Sequence, residues 1–167
     1  MKDQPKIDIP VSSVERMIDA AAILFAGSAL LLAFYYYSSL PDQVPSHFNY
    51  KGEVDGHGSK KFIFLLPVLA IAMALGFIYL AGFPNKFNYL KKITPDNAAY
   101  EYHRTRFMVR VLNVFTSLLL FVITWETIQG ARGAASNLGG LFWVAVVAAL
   151  VGPLAVYLGW PKQVKAS

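Results

Sequence analysis

Four apolar runs, each about 20 residues long, fix the solvent in which this chain can fold, since a helix needs roughly 20 apolar residues to cross about 30 Å of hydrocarbon. The runs cover residues 17–37, 62–83, 107–128 and 138–160. The second and fourth carry no charge. The first has only Asp19, at its edge, and the third has Arg110 near its start and Glu126 near its end. Charged residues make up 15% of the chain, against about 25% in soluble domains. The mean hydropathy is +0.45. The runs are continuous and do not alternate, which excludes an outer-membrane barrel. Pro67, Gly76, Gly152 and Pro153 interrupt them, as lipid-embedded helices tolerate. The expected fold class is an all-α integral membrane protein, a single domain over 1–167 with four transmembrane helices. An outer loop at 38–61 and a cytoplasmic loop at 84–106 connect the spans. With no cysteine, disulfides and zinc–thiolate chemistry are excluded.

The basic residues orient the bundle. Lys2, Lys6 and Arg16 precede the first span. Lys86, Lys91, Lys92, Arg104, Arg106 and Arg110 lie in or beside the second loop, and Lys162 and Lys165 lie in the tail. The other two loops hold Lys51, Lys60, Lys61 and Arg132. The excess of positive charge places both termini and the second loop in the cytoplasm. The net charge of +5 is therefore a topology signal, and no nucleic-acid partner is expected. The acidic residues before the first run, and its length, read as an uncleaved helix and not as a secretory leader. Tyr35, Tyr36, Tyr37, Trp125, Trp143 and Trp160 fit interfacial anchors.

The first loop carries most of the chemistry. Its 24 residues exceed a plain connection. Pro41 and Pro45 favour extended backbone, and Gly52, Gly56 and Gly58 permit turns. A short strand pair turning at Lys51-Gly52 is expected, with Val44, Phe48, Tyr50 and Val54 as an apolar cap. His47, Asn49, Asp55, His57 and Lys60 are the candidate ligand-binding residues, joined by Glu126 from the end of the third span. His47, Asp55 and His57 could ligate a divalent metal, although their spacing matches no standard zinc site. Alternatively, Asn49, Asp55 and Ser59 cap turns and His47 bonds to backbone. No nucleophile motif accompanies the histidines, so no catalytic residue is assigned and no cofactor other than that metal is expected.

The run LPDQVPSHFN at 40–49, followed by GEVDG at 52–56 and GSK at 58–60, closely resembles the signature of the bacterial membrane family called domain of unknown function 1648. The resemblance spans about Leu31–Leu80. Phe87-Asn88-Tyr89 and Thr94-Pro-Asp-Asn97 are similar to the segment that follows in such proteins. The domain also occurs in SdpI-type immunity and signalling proteins, which are longer. The resemblance implies a small multi-pass protein of the bacterial inner membrane with shared polar residues on its outward loop. It implies no established reaction.

Thr94 and Pro95 read as the N-cap and first residue of a helix that runs unbroken into the third span. On it, Glu101 is expected to pair with Arg104 or Thr105, and Arg110 to snorkel toward the cytoplasmic surface. Asn113 and Thr116 are expected to bond a neighbouring helix. Glu126 is expected to meet Lys60, Lys61, Arg132 or a loop histidine. Ala26–Ala29, Ala70, Ala74 and Ala145 offer close helix packing. Three functions remain open: a non-enzymatic protein whose outer loop recognises a peptide, ion or envelope component; an accessory subunit of a larger membrane complex; and a metal-binding membrane enzyme or transporter. The lipid bilayer is the one partner all three share.

Overall fold

The computed structural model describes residues 4–134 and 138–161. Lys2, Lys162 and Lys165, counted above among the basic residues of the termini, lie outside the described residues. The elements in chain order are helix α1 (Ser13–Tyr37), strands β1 (Gln43–Phe48) and β2 (Val54–Ser59), helix α2 (Leu65–Ala81), helix α3 (Pro95–Ala131) and helix α4 (Gly140–Gly159). Short 3₁₀ turns at Lys60–Phe64 and Pro84–Lys86 flank α2. Among the described residues four helices are long and apolar enough to cross a membrane.

Local sequence explains where the helices start. Ser12 and Glu15 form a capping box on α1: the Ser12 hydroxyl accepts from the Glu15 amide and the Glu15 carboxylate accepts from the Ser12 amide. At α3, Pro95 occupies the first turn and the Asn97 side chain accepts from the Thr94 amide. α3 spans 37 residues, about 55 Å, so it exceeds the hydrocarbon thickness and projects beyond it. Pro67 falls in the first turn of α2, where its missing N–H has no intrahelical partner to lose. Among the described residues only Pro153, inside α4, interrupts a helix interior.

α3 is the central element, packed against α1, α2 and α4. Ala26 of α1 meets Ala70 and Ala74 of α2 in a sealed seam, with Ile71 and Leu120 against it. These small side chains let the backbones approach closely, since helix association in lipid relies on packing more than on hydrophobic transfer. Asn113 adds a polar tie by donating to the Ala74 carbonyl at 3.1 Å. A second cluster of Ala33, Leu40, Val44, Ile63 and Ile128 lies where the hairpin meets the helices.

β1 and β2 form an antiparallel pair. The register shifts on both sides of His47, which skips Ser46 of β1 and Asp55 of β2 in the pairing. Such shifts re-aim side chains. Asn49 builds the turn, its Oδ1 accepting from the amides of Lys51 and Glu53 and its Nδ2 donating to the Glu53 carboxylate. Gly52 has φ +82°, and its carbonyl accepts from the Leu138 amide at 2.7 Å. The hairpin tip is thereby pinned next to the start of α4.

Candidate functional site

The hairpin roofs one end of the bundle, and a groove of about 720 Å³ lies beneath it. The floor comes from Leu65 and Leu66 at the start of α2, Ile123, Thr124 and Thr127 in the last turns of α3, and Phe142 and Trp143 at the start of α4. The hairpin adds Ser46, His47, Phe48, Asn49 and His57 as a rim. Thr124 and Thr127 donate back to the Leu120 and Ile123 carbonyls, so their hydroxyl protons are satisfied within the helix. The groove is therefore apolar below and polar above.

Of the residues expected to bind a ligand, His47, Asn49 and His57 line this groove. Asp55 reaches it through His47, whose Nδ1 lies 2.5 Å from the Asp55 carboxylate. His47 therefore bonds a side chain where the alternative reading put a backbone group. Asn49 is committed to the turn. Lys60 pairs with Asp42 at 3.0 Å and sits over the Tyr37 ring. Glu126 approaches Gly139 so closely that a Cβ there would stand 3.1 Å from its Oε1. Among the described residues it makes no ion pair, and two of the partners expected for it are engaged elsewhere: Lys60 with Asp42, Arg132 with Gln129 and the Tyr36 ring. Among the described residues no group of three His, Asp or Glu side chains gathers to hold a metal, so His47, Asp55 and His57 do not close into the expected ligand set. Of the apolar cap, Val44 is sealed and Phe48 and Val54 are half-buried, but Tyr50 is exposed.

Residues 24–71 match the domain of unknown function 1648. That domain is the hairpin with the helix on each side of it. It begins within α1, takes in both strands and ends within α2, so it supplies the roof and part of the floor of the groove, and α3 and α4 complete the floor. The likeness noted at Phe87-Asn88-Tyr89 and Thr94–Asn97 falls outside the matched residues. Neither the comparison with curated proteins nor that with solved structures gives a match.

The opposite end of the bundle holds a polar centre that the sequence reading missed. Arg106 donates to Glu15 at 2.7 Å, and Arg110 donates to Glu15 at 3.3 Å and to Asp19 at 3.0 Å. Two cations and two anions thus balance between α1 and α3. Arg110 does not snorkel: its side chain is 4% exposed and turned to the helix interface. Their burial makes the paired, bonded geometry the favourable state for these ions. Arg106 also donates to the Ile9 and Pro10 carbonyls and Tyr102 donates to Pro5, which straps the chain ahead of α1 across α3. Glu101 pairs with Lys91, not with Arg104, which instead stacks on Tyr157 and donates to its carbonyl. Beside this centre, burial pushes the Tyr89 hydroxyl up to about 12. The available signal was the i, i+4 repeat of Glu15/Asp19 and of Arg106/Arg110, which puts each pair on one helix face.

Proposed function

We propose that this is a non-enzymatic multi-pass protein of a bacterial inner membrane, with both termini cytoplasmic, that recognises a ligand at the outer surface in the groove beneath its hairpin. One observation carries the reading: a groove with an apolar floor made of span residues and a rim bearing two histidines. Such a combination, an apolar cavity with a few convergent polar groups, is typical of ligand sites. The excess of basic residues at the Arg106 end supports the orientation. Sensing or immunity of the SdpI type is one form such recognition would take, implied by the resemblance of the loop.

The test is a thermal shift of the purified protein with an extract of the cell envelope. A ligand that binds the folded state raises the melting temperature. Wild type is expected to respond, and a folded Leu66→Trp variant, whose groove is filled, is not. Equal responses of the two proteins would count against recognition at this site.

A role as an accessory subunit of a larger complex is the second reading. It rests on α4, which presents Val144, Val147, Leu150 and Leu158 outward. Native mass analysis after gentle extraction would reveal a retained partner.

A further inference from the structure

We infer that the groove beneath the hairpin seats one glycerophospholipid from the leaflet on that side, with an acyl chain on the span floor and the phosphate at the histidine rim. This deepens the recognition reading and rests on it. The position of the cavity supports it first. Leu66, Ile123 and Phe142 are span residues, so the floor adjoins hydrocarbon and a lipid chain enters it without leaving an apolar medium. A water-borne peptide would have to cross the headgroup layer to reach the same surface.

Chemistry supports it second. A cavity of about 720 Å³ lies within the roughly 300–1,000 Å³ of ordinary ligand sites. Because the Thr124 and Thr127 hydroxyls bond within their own helix, those two donors are not left for a ligand, which suits a hydrocarbon chain. Above it, His47 holds Asp55 through Nδ1, which turns Nε2 away from that carboxylate. His57 lines the same groove and makes no hydrogen bond or ion pair among the described residues. The Nδ1 proton of His47 goes to Asp55, so in the neutral ring its Nε2 is an acceptor, and the rim's free ring N–H for a phosphate oxygen comes from His57. The groove thus repeats the amphiphilic order of a phospholipid, apolar below and donor-bearing above.

The experiment uses the full chain in nanodiscs doped with a phosphatidylcholine that carries a diazirine in one acyl chain. The protein is then moved into detergent free of the probe, irradiated, and its adducts are mapped by mass spectrometry. A seated lipid survives the exchange, so adducts on Leu66, Ile123 and Phe142 persist while those on the outward α4 residues Leu150 and Leu158 vanish. Leu66→Trp and Ile123→Trp each displace about two methylenes and are expected to lower the persistent adducts about tenfold. The inference is overturned if groove and α4 adducts vanish together, or if both filling variants leave the persistent adducts unchanged. Should one variant fail to fold, the wild-type comparison and the other variant still decide. A lost groove adduct alongside an intact envelope-extract response would sink the lipid and leave recognition standing. Loss of both would remove the two together.

Discussion

Arg106 and Glu15 lie 2.7 Å apart, with side chains 5% and 0% exposed, and so join the projecting part of α3 to the first turn of α1. Glu15 simultaneously completes the α1 capping box. One carboxylate therefore fixes both where α1 begins and how it docks.

Removing that carboxylate leaves two buried guanidinium groups short of an anion. Breaking a buried pair costs about 3–5 kcal/mol. Glu15→Ala is expected to lower thermal stability in detergent more than Arg16→Ala, whose contacts are exposed. In a double-mutant cycle, Glu15→Met with Arg106→Met is expected to cost less than the sum of the single changes. Strict additivity would mean the pair does not couple the helices.

At the hairpin tip, Gly52 combines φ +82° with a Leu138 Cβ that would stand 3.2 Å from any added Cβ. Gly52→Val is expected to cost about 1–2 kcal/mol from backbone strain, and the close contact adds to it. Asn49→Ala removes the acceptor of two backbone amides, each worth about 1 kcal/mol. Both variants should speed amide hydrogen exchange across β1 and β2 while leaving α3 protected. Unchanged exchange in the hairpin would show that the tip is not what holds it.

The Ala26, Ala70 and Ala74 seam has no room for larger groups. Ala70→Leu is expected to cost about 1–3 kcal/mol through overpacking, seen as a lower melting temperature. The same change at exposed Ala72 should be neutral.

Tyr89 is half-buried, donates to the Pro84 carbonyl and packs near the Tyr102 ring. Burial raises it to about 12 in the folded state, from about 10 when unfolded. Between those values the unfolded chain has lost the proton and the folded chain keeps it. Stability from this group is therefore full below pH 10 and lost as pH rises from 10 toward 12. Tyr89→Phe should flatten that part of the alkaline unfolding curve. A curve of the same slope would assign the effect elsewhere.

Spans, turn and seam were legible in the sequence because each follows from local pattern. Apolar length marks a helix, as in 138–160, and Pro41, Pro45 and Gly52 mark a hairpin. The small residues Ala70 and Ala74 foretold close packing. What escaped the sequence was pairing across distance. Arg110 alone reads as a residue that reaches for water, and only the juxtaposition of α1 and α3 reveals Asp19 and Glu15 beside it. His47 and Asp55 were legible as neighbours on one loop, but the groove below them needs Ile123 and Phe142, contributed from far along the chain. Glu126 looked like a partner for loop cations because nothing local reveals that Lys60 is already held by Asp42.

The absence of cysteine makes single-cysteine labelling the most direct measurement of the arrangement on which the proposed recognition depends. His57 in the hairpin and Asn88 before α3 are both exposed. In spheroplasts treated with a membrane-impermeant maleimide, His57→Cys is expected to label at once and Asn88→Cys only after the membrane is opened. Labelling of both positions in sealed spheroplasts would contradict a bundle that holds the hairpin and the Arg106 end on opposite sides of a bilayer, and labelling of Asn88→Cys alone would contradict an outward-facing hairpin.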